Sequence, residues 1–192
     1  MNVIRRVLRL KYGAEFRTDV ETFVSREVVD AAIVRGRYEL PPLSGTRYTA
    51  FVDPSGGSAD SMTLAIGHFA GDAQDLSVLD AVREVRPPFS PQSVLEEFAG
   101  LLRNYRIATV AGHRYGGEWP AERFREHGIE YRPAQKSASD LYIELLPLLN
   151  SRKIELLDHP RLVRVHKGVF FSGVARAERH ERDGRRAHFT HW

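Results

Sequence analysis

The stretch Arg47–Phe69, RYTAFVDPSGGSADSMTLAIGHF, limits the folds open to this chain more than any other segment. Tyr48 to Val52 is β-branched and aromatic enough for a buried strand. Pro54-Ser55-Gly56-Gly57 then makes a turn, and Met62 to Gly67 predicts an antiparallel partner strand. Asp53 therefore sits at the very end of a buried strand. A carboxylate there is costly unless a hydrogen-bonding turn or a cation meets it. On these residues alone two roles stay open: Asp53 caps the turn that follows, as Asp often does, or it ligates a metal ion.

Downstream, Leu76 to Arg86 predicts a third strand, which completes an antiparallel meander. The period then changes. Ser90-Pro91 predicts a cap followed by proline in a first turn, and Val94, Leu95, Phe98, Leu101, Leu102 and Tyr105 recur at helical spacing. Ile107 to Ala111, ending at Gly112-His113, reads as a short strand, so strand, helix and strand in succession predict a crossover to a parallel neighbour. A helix from about Pro120 to His127 is closed by Gly128 as a left-handed cap. Ile129 to Pro133 is a fifth strand, and Ser137 with Asp140 forms a capping pair before Leu141 to Asn150. Pro147 should kink that helix, and Ile154 to Leu157 is a last short extended piece.

Upstream, Tyr12 to Ile33 carries broadly helical apolar spacing interrupted near Ser25, which predicts an N-cap. Arg35 to Gly45, with Pro41 and Pro42, reads as an extended connector. The expected organisation is an arm or linker over residues 1–45, a domain over 46–163 and a tail over 164–192. The fold class is α/β, a mixed sheet with three antiparallel strands, then parallel ones, and flanking helices. Ligand chemistry in such sheets gathers at strand ends. If the strands ending in Asp53 and His113 are neighbours, their tips share one site.

The chain has no cysteine, which excludes disulfides and thiolate metal sites and leaves any metal to oxygen or imidazole ligands. No apolar run approaches a membrane span, and MNVIRRVLRLKYG lacks the continuous apolar core of a secretory signal. The net charge of +3 makes an anionic partner plausible without choosing one. It is carried unevenly: from Arg161 to Trp192 there are eight Lys or Arg against three acids, so the tail alone exceeds the surplus of the whole chain.

The segments FVDPSGGSADSMTLAIGH, EVRPPFSP, GHRYGGEWPAERFREHGIEYRPAQKS and LYIELLPLLNSRKIELLDHPRLV resemble the C-terminal nuclease domain of phage and prophage terminase large subunits. The earlier AEFRTDVETFVSRE is similar to the segment joining that family's packaging ATPase to its nuclease, so the likeness runs from Tyr12 to Val163. The resemblance implies a ribonuclease H-like fold and metal-dependent endonucleolytic cleavage of phage DNA during packaging. It also implies Mg²⁺ or Mn²⁺ as cofactor, in a pair about 4 Å apart, one activating water and the other stabilising the leaving oxygen. The implied partners are double-stranded DNA and a terminase small subunit, a portal or a separate ATPase chain. The implied place of action is the cytoplasm of a bacterial host.

Carried over by position, Asp53 matches the family's first-strand acid. The second acid ends strand four in a Gly-Asp-Arg-Tyr-Gly-Gly motif, where this chain reads Gly112-His113-Arg114-Tyr115-Gly116-Gly117. An imidazole brings no negative charge and favours softer ions than Mg²⁺. The third acid belongs to a His-Asp-Asp motif that this sequence lacks, so impaired cleavage is expected, with a non-catalytic DNA-binding or packaging-motor interaction module as the alternative. Arg114, Tyr115 and Lys136 take positions suited to a DNA backbone, against bland roles as turn packing and as a solvated lysine before a capped helix. Asp60 reads as a turn residue and Asp80 as a solvated or salt-bridged acid rather than a ligand. No Gly-x-x-x-x-Gly-Lys-Ser/Thr loop occurs, so ATP-driven translocation falls to some other chain. After Val163 the likeness stops abruptly, as a frameshift near residue 164 of a decaying prophage gene would leave it.

Overall fold

A computed structural model describes residues 25–73, 75–113 and 118–163 of the chain. In chain order its elements are α1 (Arg26–Ala32), β1 (Ile33–Val34), β2 (Tyr48–Asp53), β3 (Met62–Ala70), β4 (Leu76–Val85) and α2 (Pro91–Asn104). Then follow β5 (Thr109–Gly112), α3 (Trp119–Glu126), β6 (Glu130–Pro133), α4 (Ala138–Asn150), β7 (Ile154–Leu157) and α5 (Pro160–Val163). No helix among the described residues is long and apolar enough to cross a membrane.

The meander forms as its residue pattern requires. β2 pairs antiparallel with β3 from Tyr48↔His68 to Asp53↔Thr63, and β3 pairs antiparallel with β4, with a register shift between Ile66 and Gly67. Because strand side chains alternate between faces, Tyr48, Ala50 and Val52 enter one core together with Met62, Leu64 and Ile66. The apolar stripe of α2 (Val94, Leu95, Phe98, Ala99 and Leu102) covers that face, and burying it is the main force holding the crossover down. The crossover delivers β5 parallel to β2, and β6 lies parallel beyond it, so the seven-stranded sheet runs β1-β7-β4-β3-β2-β5-β6. β6 is one edge, and its exposed Glu130 and Arg132 are paired at 2.8 Å; β1 is the other edge.

The opposite face of the sheet holds a second core, and residues that the sequence reading put in an arm contribute to it. Val29, Ala32 and Ile33 pack with Ala65, Leu79, Val82, Leu145, Leu149 and Leu156, so Arg26–Val34 belongs to the body of the fold rather than to an arm beside it. The cause is supply and demand of apolar surface. β7 and α4 present leucines that nothing else covers, and β1 pairs parallel with β7 through Ile33↔Leu156 and Val34↔Leu157. The connector after β1 is extended, as its prolines require, but it is tied down. Arg37 Nη1 donates to Glu155 Oε2 at 2.6 Å, Leu40 N donates to the Asp80 carbonyl at 2.8 Å, and Leu43 N donates to the Tyr48 hydroxyl at 2.8 Å. Residues 1–24 and 164–192, which include most of the expected arm and the basic tail, lie outside the described residues.

Two caps follow the sequence reading in full, whereas Ser25 and Ser90 hold N-cap positions without a side-chain cap bond. Ser137 and Asp140 form the reciprocal capping box, and Gly128 adopts φ +75° after α3. α4 continues through Pro147 to Asn150. Ser90 stands at the N-cap of α2 with Pro91 next, yet its side chain accepts no helix N–H.

Asp80 lies in the middle of the sheet, 1% exposed, with its carboxylate 2.7 Å from His68 Nδ1. The His68 ring in turn meets the edge of Tyr48 at a centroid distance of 5.4 Å. Burial pushes the Asp80 carboxyl above the ordinary carboxylate range, and the His68 hydrogen bond only partly opposes it. The folded chain therefore holds this proton more tightly than the unfolded chain. The stability linked to it is present at acid pH and lost as pH rises through the folded-state value. In urea unfolding from acid to neutral pH, the native chain should lose stability relative to Asp80→Asn as pH increases. At neutral pH Asp80→Ala should cost about 1–3 kcal/mol, as leaving the His68 ring without its buried hydrogen-bond partner does.

Candidate functional site

The β2–β5 pairing sets the site. Phe51 pairs with Ala111 and Val52 with Gly112, and the His113 N–H donates to the Val52 carbonyl at 3.2 Å. Asp53 and His113 therefore leave neighbouring parallel strands side by side, the first half-buried and the second exposed. The sequence reading made this convergence conditional on strand adjacency, and the strands are adjacent.

Tyr131 of β6 completes the corner. A Cβ on Gly112 would stand 2.5 Å from the Tyr131 ring and hydroxyl, so only glycine lets the ring lie against the end of β5. The Tyr131 hydroxyl donates to the His113 carbonyl at 2.5 Å, and its ring stacks on Phe124 at a centroid distance of 5.8 Å. Burial and the negative charge of Asp53 both push the phenol well above the usual tyrosine range. It stays a protonated donor, and that electrostatic link places it in the same local field as Asp53. Sequence reasoning had assigned Tyr131 only to a strand, because a buried tyrosine at a strand position carries no sign of what its hydroxyl reaches.

Of the remaining sequence candidates, Lys136 and Asp80 are engaged by other partners. Arg114 and Tyr115 lie outside the described residues. The Lys136 ammonium is paired with Glu144 of α4, so it is engaged by the fold rather than held open for phosphate, and Ser137 beside it is occupied in the capping box. Asp60 is an exposed loop residue whose carbonyl accepts from the Ser55 hydroxyl at 2.6 Å. Asp80 is buried against His68.

Among the described residues no group of three or more His, Cys, Asp or Glu could hold a metal ion. A hard divalent cation of the Mg²⁺ kind requires an octahedral shell of oxygens, commonly anchored by carboxylates. One half-buried carboxylate beside an exposed imidazole does not supply that. The donor set is closer to what Zn²⁺ accepts, and as it stands it does not fit a two-cation centre.

A cleft of about 450 Å³ opens directly beyond Asp53. The turn residues Pro54, Ser55 and Gly56 form one wall, Ser90, Pro91 and Gln92 at the start of α2 a second, and Trp119 and Arg123 of α3 the third. Gly57 fixes the turn against the segment leading to α2. It has φ +82°, a Cβ there would collide with the Phe89 carbonyl, and its own carbonyl accepts from the Phe89 N–H at 3.2 Å.

Solved structures match this fold. The large terminase nuclease from thermophilic phage G20c aligns with a TM-score of 0.60 at 16% identity, over 72% of this chain and 77% of that one. A second structure of that nuclease, with bound zinc, aligns with a TM-score of 0.57 at 16% identity, over 79% of this chain and 95% of that one. The HK97 bacteriophage large terminase aligns with a TM-score of 0.53 at 16% identity, over 73% of this chain but 35% of its own length. The chain thus has the ribonuclease H-like fold of phage large terminase nuclease domains, as the sequence led us to expect. No family model matches it, and no curated protein does.

The Gly112–Tyr131 contact can be tested on its own. Gly112→Ala should lower stability by about 1–3 kcal/mol, the usual cost of overpacking. Adding Tyr131→Leu should recover most of that loss in denaturant unfolding, because it removes the atoms that the new methyl meets. If the single variant is as stable as the native chain, the close approach is not real.

Proposed function

We propose that this chain is a divergent nuclease domain of the phage large terminase kind, which meets double-stranded DNA at the tips of β2 and β5 and cleaves it only weakly. The observation that carries the reading is the side-by-side exit of Asp53 and His113 from adjacent parallel strands, in the corner closed by Tyr131. The fold supports the kinship, and the pairing of one acid with one imidazole supports the impairment. Asp53 is the metal ligand in this reading and His113 occupies the second ligand position. A single Mn²⁺ held by Asp53 and His113 would supply phosphate neutralisation and an activated water, and this donor set would hold Mg²⁺ more weakly. The protein's own part is positional: Tyr131 holds the His113 backbone, and the register of β2 with β5 holds Asp53 beside it.

Cleavage during packaging would need partners that this chain does not contain. Those we propose are a separate ATPase chain, a terminase small subunit or a portal, acting in the cytoplasm of a bacterial host. Arg114 and Tyr115 remain proposed contacts to the DNA backbone. Lys136 could join them only by releasing Glu144.

A second reading, a DNA-binding or motor-interaction module without cleavage, is favoured by the incomplete acid set among the described residues. Supercoiled plasmid incubated with Mn²⁺ or with Mg²⁺ separates the two. We expect slow nicking in Mn²⁺ and less in Mg²⁺. Asp53→Ala should reduce it by more than the roughly 10–100-fold that loss of an outer-shell partner costs a metal site. His113→Asp should change the rate little, because the third acid stays missing. Retention of labelled duplex without nicking would leave the module; neither binding nor nicking would dismiss both.

A further inference from the structure

We propose that the cleft beyond Asp53 binds one unpaired nucleotide of a DNA strand, with the base laid on the Trp119 indole and its phosphate on Arg123 and the open start of α2. The proposal rests on the reading above, in which a DNA strand crosses the tips of β2 and β5, and it names a second contact one step further along that strand.

The walls of the cleft carry the complementary chemistry. Trp119 and Arg123 stand four residues apart on α3, so they project on the same side of the helix and both line the cavity. The indole is half-buried against the core formed by β2, β3 and α2 and lines the cleft, which suits it to serve as a stacking platform. Every base has a π-face, so such a platform accepts bases without regard to sequence. Arg123 supplies the charge. Its Nη1 is 3.1 Å from the Glu126 carboxylate in an exposed pair, the kind of contact worth little in water and readily exchanged for phosphate.

The third wall adds donors. Ser90 occupies the N-cap of α2 without capping it, Pro91 has no N–H to offer, and Gln92 follows with both a backbone N–H and a side-chain amide. The first turn of a fourteen-residue helix, left uncapped by its own serine, suits an anion that a neighbouring guanidinium already attracts. The cavity, near 450 Å³, lies within the range of small-ligand sites. A base inside a duplex is stacked on both sides and cannot reach an indole. The occupant is therefore a frayed, flipped or single-stranded nucleotide rather than a paired one.

Trp119 reports on its own site. The chain has two tryptophans, so Trp192→Phe leaves Trp119 as the sole indole emitter. In that full-length variant, titration with 5′-dAMP and with a short oligo-dT should quench the emission saturably. Inorganic phosphate should compete at least tenfold more weakly than 5′-dAMP. Arg123→Gln should raise the apparent Kd fivefold or more, whereas Glu126→Gln, which frees the guanidinium, should lower it. A purely structural role for this ion pair would not give opposite shifts. Thermal melts confirm that both surface variants remain folded.

No quenching, or quenching that neither variant alters, overturns the proposal. Competition by phosphate equal to that by 5′-dAMP overturns it too, reducing the cleft to an anion site. Anisotropy of a labelled duplex keeps the two readings apart. Duplex binding without a Trp119 response dismisses the nucleotide cleft and spares the domain reading; a Trp119 response to 5′-dAMP without duplex binding or nicking does the reverse.

Discussion

The parallel contact between β2 and β5 is the constraint on which the rest depends. Two residue pairs, Phe51↔Ala111 and Val52↔Gly112, decide that Asp53 and His113 emerge together. The contact survives because Gly112 has no side chain, which lets Tyr131 press its ring against the end of β5 and tie its hydroxyl to the His113 carbonyl. Three strands are thereby fixed at one corner by a missing methyl and one hydrogen bond. What stands at that corner chemically is a single carboxylate and an imidazole.

Two cores hold the sheet from opposite sides, and they place different demands on the sequence. The face under α2 is filled by long apolar side chains such as Phe98, Leu102, Met62 and Ile66, all fully buried. The other face is closed by shorter contributions from α1, β7, α4 and α5, none of which could cover it alone. Between these layers the sheet carries the buried Asp80–His68 pair. The connector laces over it through the Asp80 backbone and through the Tyr105 hydroxyl, which donates to the Leu40 carbonyl.

Much of this was legible because periodicity survives in a single sequence. The meander, the α2 stripe, the crossover and the Ser137–Asp140 box each repeat a local rule, whereas the adjacency of the Asp53 and His113 strands stayed a condition that the β2–β5 register meets. What escaped depends on distance. Ile33–Val34 is too short to show a strand period, and it pairs where it does because it lies beside the leucines of β7 in the second core. Asp80 finds His68 twelve positions away, opposite a register shift that no local pattern announces. Lys136 looked free beside a helix cap because Glu144, two turns into α4, gives no sign of reaching back. Ser90 fits the rule for a helix cap and does not act as one, and the cleft it borders unites three segments distant in sequence.

The two borders of the sheet restrict how this protein can be joined to another. On one side, β1 has only two residues of ladder to offer. On the other, β6 is four residues long, ends in a proline with no amide hydrogen, and displays Glu130 and Arg132 to solvent. A visiting segment that tried to dock by β-augmentation would find too few backbone groups at the first border and fixed charges at the second. Through the described residues, recruitment into a larger assembly is therefore written in side-chain surfaces and helix faces, where shape and charge choose the companion, rather than in backbone hydrogen bonds that would accept almost any extended chain.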